Sequence, residues 1–273
     1  MAASAKKKPS GSMAERADIH ELYEESVQAV DVEVEFLRDT FRALRGRAPL
    51  SFREDFCGTA SAACEWVRTG PKGHAVGVDI NATVLDWGRR NRVARLPEKA
   101  RARVKLLNDD VTKVVTEPVD LVGAFNFSYY CFKTRDEMRS YFSRVRDALN
   151  PDGVFFLDAF GGPDASDLQK EKTKLDGFTY VWDQAVFEPV TSRIVCHIHF
   201  KFPDGSKIKN AFTYDWRLWT LPELRELLTE AGFAKVRVYW EGTDDEGEGD
   251  GVFTEHATGE PDLAWIAYVV AEK

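Results

Sequence analysis

The order of hydrophobic and polar positions divides the chain into three regimes. Between Ile19 and Leu44, apolar residues return every third or fourth position, at Leu22, Tyr23, Val27, Val30, Val34, Leu37, Phe41 and Leu44. This is the spacing of one buried helix face, and it predicts one long helix or two consecutive ones ahead of the first strand. From Leu50 the pattern changes to short apolar runs separated by helical stretches. The predicted strands are 50–55, 75–79, 104–107, 121–126 and 154–160, with helices near 60–67, 83–95 and 135–149. The last helix is stopped by Asn150-Pro151-Asp152-Gly153. Such alternation predicts an α/β fold with a mostly parallel sheet flanked by helices.

Near Gly177 a two-residue period takes over in FTYVWDQAVFEPV, SRIVCHIHFKF and SKIKNAFTYDWRLW, around the turn Pro203-Asp204-Gly205. Alternation about such a turn predicts an inserted antiparallel β meander. The helix LPELRELLTEAGF and strands near 235–240 and 263–271 then return to the first theme, and GTDDEGEGDGVF between them reads as a polar loop. The expected organisation is a disordered tail over 1–14 and a helical region over 15–48. A core over 49–176, the insertion over 177–220 and the end of the core over 221–273 complete it.

Composition narrows the function. The 273 residues, 44% hydrophobic and 30% charged, suffice for one substantial core with an elaboration. No apolar run approaches the roughly 18–20 residues that cross a bilayer, and MAASAKKKPSGS lacks the apolar stretch of a signal peptide. A cytoplasmic protein without membrane contact is expected. The formal charge of −8 opposes a nucleic-acid partner, which needs clustered Lys and Arg, and favours a small molecule. Cys57, Cys64, Cys131 and Cys196 form no CxxC pair, so reduced thiols and no metal are expected.

The chemistry concentrates in SFREDFCGTASAACEW followed by HAVGVDIN. A strand ends in a turn at Gly58 and a helix starts, which presents backbone N–H groups to a ligand at the sheet's carboxyl edge. Asp79 ends the next strand, where a carboxylate can accept from a ribose diol. The pair reads as an adenosine site. A dinucleotide would need G-x-G-x-x-G, whereas Phe56 precedes Gly58 and Ala60 and Ala63 follow it. The missing glycines favour a cofactor without pyrophosphate over a nicotinamide dehydrogenase.

The segment resembles motif I of class I S-adenosylmethionine-dependent methyltransferases, acidic-x-G-C-G-T-G, with Glu54, Cys57, Gly58 and Thr59 in matching places. Phe56 and Ala60 replace its first and last glycines. The resemblance implies a Rossmann-like sheet of seven strands, S-adenosylmethionine as cofactor and S-adenosylhomocysteine as product. It places Glu54, Phe56, Cys57 and Gly58 around the methionine end, Asp79 with Ile80 at the ribose, and Asp110 and Val111 at the adenine. Asn126 follows on the fourth loop. Asp110 also suits a helix N-cap.

By the same resemblance, the loop Asn126–Tyr130 faces the acceptor, with Tyr129 and Tyr130 as the candidate catalytic pair and Ser128 beside them. From the residues themselves, Tyr23 is expected to close over the site, His197 to serve as a base, and Tyr214, Trp216 and Arg217 to form an aromatic and cationic lid over a cationic or carboxylate-bearing substrate. Core packing is the alternative for the tyrosines, and solvent exposure for the strand histidines. The layout is similar to small-molecule N-methyltransferases of the glycine and sarcosine type. The expected reaction is in-line methyl transfer to nitrogen or oxygen of a small acceptor. A non-catalytic S-adenosylmethionine- or nucleoside-binding protein with a degenerate motif I is the alternative.

Overall fold

The computed structural model describes residues 11–244 and 249–273. Helices α1 (Met13–Arg16), α2 (Ile19–Val27) and α3 (Val30–Arg45) come first. The α/β core follows as β1 (Ser51–Asp55), α4 (Ser61–Thr69), β2 (His74–Asp79), α5 (Ala82–Asn91), α6 (Glu98–Arg101), β3 (Val104–Asn108), β4 (Val119–Ala124), α7 (Arg135–Asp147) and β5 (Leu149–Gly161). Next come β6 (Lys170–Leu175), β7 (Phe178–Glu188), β8 (Arg193–Lys201) and β9 (Lys207–Arg217). The chain closes with α8 (Leu221–Glu230), β10 (Lys235–Thr243), β11 (Gly249–Glu255) and β12 (Trp265–Glu272).

The main sheet has the order β11-β10-β12-β5-β4-β1-β2-β3. Strands β3, β2, β1, β4 and β5 are parallel, and β12, β10 and β11 add antiparallel pairs. This is the expected Rossmann-like arrangement with eight strands instead of seven. Chain order reverses between β1 and β4, so a crevice opens there at the carboxyl ends, where ligands bind in such sheets. Strand β1 is buried along its whole length, as a central strand covered on both faces must be.

Three expectations change. Gly249–Glu255, read as part of a polar loop, pairs with β10 because Phe253 packs 4.7 Å from Tyr268 and 6.1 Å from Phe36. Lys170–Leu175, charged enough to escape a hydrophobic search, becomes the edge strand of the second sheet. Residues 11–14, expected in the disordered tail, are held: Ser12 caps α1, the Met13 N–H donates to Asp204 at 2.7 Å and the Ala14 N–H donates to Ser206 at 3.1 Å. Helices α2 and α3 are separate. The rest of the tail, residues 1–10, and residues 245–248 of the acidic stretch lie outside the described residues. Among the described residues, no helix is long and apolar enough to cross a membrane and no cluster suits a metal ion.

Candidate active site

The loop after β1 carries three left-handed residues in five: Phe56 at φ 56°, Gly58 at 51° and Ala60 at 63°. Phe56 and Ala60 stand where motif I has glycine, and each keeps a glycine-like backbone at a cost of about 1–2 kcal/mol. The loop shape has survived the loss of its glycines. Phe56 is held by ring contacts with Phe132 and Tyr141, and the Ala60 N–H donates to the Cys57 carbonyl at 2.7 Å. Nothing lies within 4 Å of the point where a Gly58 side chain would begin, so this backbone faces open space.

Asp79 closes one side of that space. Its carboxylate accepts from the Gly58 N–H and the Asn81 N–H, both at 2.8 Å, which ties the ends of β1 and β2 together. Ile80 beside it is 74% exposed, an uncovered apolar surface next to a carboxylate. Glu54 lies on the other side, accepting from the Ala63 N–H at 3.0 Å in the first turn of α4, a helix with no side-chain cap. Burial pushes the Glu54 carboxyl well up, with Glu33, Asp79 and Asp55 adding to the shift.

Asp158 on β5 pins the loop after β4. Its oxygens accept from the Asn126 N–H at 2.7 Å and the Phe127 N–H at 3.0 Å, and both residues are left-handed at φ 54°. Two consecutive strained residues held by one carboxylate form a built feature. Burial raises Asp158 to about 7 against the lowering effect of these N–H groups. Burial likewise raises Glu33 on α3 to about 8, with Asp158 and Asp31 contributing. No basic group is among the charges acting on either.

Across the Asn126–Phe127 loop lies a cavity of about 410 Å³ between the two sheets. Tyr23, Phe127, Trp182, Tyr214, Trp216 and Trp265 supply most of its aromatic wall. Tyr23 sits 4.8 Å from Phe212, and burial pushes its phenol up to about 12, so it stays protonated and can donate. Helix α2, which carries Tyr23, is fastened to the loop after β1 by Glu24, whose carboxylate accepts from Thr59 at 2.5 Å, Ser61 at 2.6 Å and Arg92.

The structure therefore places Glu54, Gly58, Asp79 and Ile80 around the crevice, and Asn126, Tyr23, Tyr214 and Trp216 in the cavity wall. Cys57 is buried beneath the loop. Asp110 is engaged as a turn cap, accepting from the Thr112 N–H at 2.9 Å and its hydroxyl at 2.7 Å, and Val111 is buried after it.

Other placements are corrected. Tyr129 and Tyr130 are fully buried and do not line the cavity, because their short 3-10 turn rotates them into the core. The Tyr129 hydroxyl donates to the Asp158 carbonyl at 2.5 Å, and that of Tyr130 makes long contacts to the Phe160 and Trp219 carbonyls. Ser128 turns back to the Phe125 carbonyl at 2.8 Å. His197 pairs with Thr213 at 2.9 Å on the sheet face opposite Ile198, away from the cavity. Arg217 is held by Glu223 at 2.7 Å and stacks on Trp219, also away from it. Glu33, Glu24 and Asp158 were not found by sequence reading, because each acts through a contact with a distant segment.

Residues 57–155 match the family model described as a methyltransferase domain. The matched stretch lies within a sheet of Rossmann-like strand order. No curated protein sequence matches it. Solved structures similar to it include an S-adenosylmethionine-dependent methyltransferase from Clostridium acetobutylicum, at 14% identity over 93% of this chain and 96% of that one, with a TM-score of 0.66. An amino pentose methyltransferase from Micromonospora echinaspora, with S-adenosylmethionine bound, aligns at 16% identity over 98% and 99%, with a TM-score of 0.65. A sugar N-methyltransferase from Streptoalloteichus aligns at 16% identity over 100% and 98%, with a TM-score of 0.62. At such identities the likeness establishes the fold. The matched residues run from Cys57 into β5 and take in Gly58 and Asp79, while Glu54, α2 and the second sheet lie outside them.

Proposed function

We propose that this protein transfers a methyl group from S-adenosylmethionine to a nitrogen or oxygen of a small-molecule acceptor. The observation that carries the reading is the pair of adjoining spaces, an open glycine crevice beside Asp79 and an aromatic cavity, on either side of the strained Asn126–Phe127 loop. The residues present fit the cofactor. The bare backbone at Gly58 and the first turn of α4 suit its methionine end, Asp79 its ribose diol, and the exposed face of Ile80 its adenine. Glu33, Glu54 and Asp158 are carboxyls whose ionisation burial opposes, and a ligand bearing sulfonium and ammonium groups would favour their charged forms.

When bound, S-adenosylmethionine supplies an electrophilic methyl carbon whose bond to sulfur breaks with the electron pair remaining on sulfur. The chain's own work is alignment. Asp158 holds the loop between the two spaces, α2 closes one side through Glu24 and Tyr23, and the aromatic walls exclude water from the acceptor. An amine acceptor must lose a proton to expose its electron pair, and a hydroxyl needs a nearby base. The sugar N-methyltransferase among the similar structures supports a nitrogen acceptor.

Calorimetric titration with S-adenosylmethionine, followed by labelled-methyl transfer to a fractionated cell extract, tests the proposal. Binding together with one labelled compound is the expected outcome. Binding without turnover over a broad panel favours the non-catalytic alternative, and absence of binding refutes both.

A further inference from the structure

Resting on the methyl-transfer reading, we propose that the cavity selects an amine that enters as a cation and presents no carboxylate or phosphate to the cavity walls. Its walls combine two chemistries. One is a set of ring faces: Tyr214 stacks on Trp216 with centroids 4.3 Å apart and 25° between planes, and Trp182 stands 6.0 Å and 6.3 Å from the two. The other is acidic. Asp164, Glu171 and Glu241 line the cavity, and among the described residues no lysine, arginine or histidine does.

Strand register explains why the acid is not neutralised locally. Glu171 lies opposite Trp182 across β6 and β7 and so shares its face. The adjacent Lys170 falls on the other face, where Asp183 holds it at 2.6 Å. Among the described residues neither Asp164 nor Glu171 enters an ion pair, and Glu241 accepts only the Gly251 N–H, at 3.1 Å. One reading of the sequence is a lid in which Arg217 receives a carboxylate-bearing substrate. Its engagement with Glu223 and Trp219 removes that option.

The consequences follow from the charges. An anionic acceptor would meet carboxylates with no basic group to receive it. An alkylammonium gains from the ring quadrupoles and from the carboxylates together, whereas a neutral alcohol of equal size gains only apolar contact. For transfer, the ammonium nitrogen gives one proton to Glu241 or Glu171, which releases it to water at the cavity mouth where Glu171 is exposed. The freed electron pair then forms the new carbon–nitrogen bond, and the methylated product regains positive charge.

Three probes sharing one phenyl ring separate these cases: 2-phenylethylamine, 2-phenylethanol and phenylalanine. Each is titrated into the full chain without cofactor, following tryptophan fluorescence and heat. The amine should bind about tenfold more tightly than either other probe. The Glu171→Gln variant should narrow that preference and the Glu171→Gln/Glu241→Gln pair should abolish it, with circular dichroism and alcohol binding unchanged. Equal binding of amine and alcohol, tight binding of phenylalanine, or no binding of any probe overturns the proposal. A parallel titration with S-adenosylmethionine keeps the two readings apart. Cofactor binding without an amine preference sinks the acceptor class alone, and an amine preference without cofactor binding sinks the methyl-transfer reading alone.

Discussion

The crevice and the cavity share the Asn126–Phe127 loop but are built in opposite ways. The crevice is mostly backbone: left-handed turns at Phe56, Gly58 and Ala60, the start of α4, and the carboxyl groups of Glu54 on β1 and Asp79 at the end of β2. The cavity is mostly side chains, drawn from α2, the second sheet and the region of β10 to β12. A backbone cradle tolerates changes of residue as long as the dihedrals persist, which is why Phe56 and Ala60 leave the loop intact. A cavity of side chains changes its selectivity with each substitution, so the proposed function assigns specificity to the second region and cofactor binding to the first.

The sharpest break of this division is Gly58→Val. A β-branched residue at φ 51° strains the loop by about 1–2 kcal/mol and fills the open space. Cofactor affinity should fall by about a hundredfold or more while the amine probe still binds, as calorimetry would register. Next is Asp79→Asn, which removes charge-assisted hydrogen bonds worth roughly 1.5–3 kcal/mol. Its expected effect is about ten- to a hundredfold weaker cofactor binding, and unchanged affinity would refute the ribose role.

Trp182→Leu acts on the other region. It should raise the acceptor KM about tenfold and leave the cofactor Kd within about twofold, and equal losses in both would erase the distinction between the regions.

A smaller effect comes from pH. Asp158 at about 7 and Glu33 at about 8 lie above ordinary carboxylate values, so their ionisation opposes folding. Their contribution to stability therefore falls as pH rises from about 4 towards 8. A sulfonium ligand favours the ionised forms, so S-adenosylmethionine should bind several-fold more tightly at pH 8 than at pH 6, with proton release. S-adenosylhomocysteine, without the sulfonium charge, should show less of this trend. Identical pH profiles for the two in calorimetry would count against these carboxylates facing the sulfonium. The smallest effect is expected for Tyr130→Phe. Its buried hydroxyl meets the Tyr129 hydroxyl and makes long contacts of 3.4 Å and 3.5 Å to two carbonyls, so turnover should stay within about twofold and stability drop by about 1 kcal/mol. A large loss of kcat would return this residue to the acceptor side.

What could be read from sequence follows the same division. The segment from Glu54 to Asp79 was legible because strand, turn and helix are contiguous and each signal spans a few residues. The left-handed backbone of Phe56 and Ala60 was not, since residue type argued against a conformation that packing imposes. Alternation separated His197 from Ile198 correctly, yet the core-facing side was settled only when β8 paired between β7 and β9. Tyr129 and Tyr130 were placed at the right loop with the wrong orientation, because a short 3-10 turn decides which way they rotate. Strand β11 escaped notice because its pairing rests on aromatic contacts with α3 and β12.

The amino-acid order by itself determined the parallel core, the glycine bend and the acidic end of β2, since hydrophobic period and turn chemistry operate over short stretches. Tertiary structure decided which carboxylates gather around the crevice and which rings and acids enclose the cavity. Those groups come from segments far apart in the chain, and only the packing of the two sheets and the docking of α2 bring them within reach of one ligand.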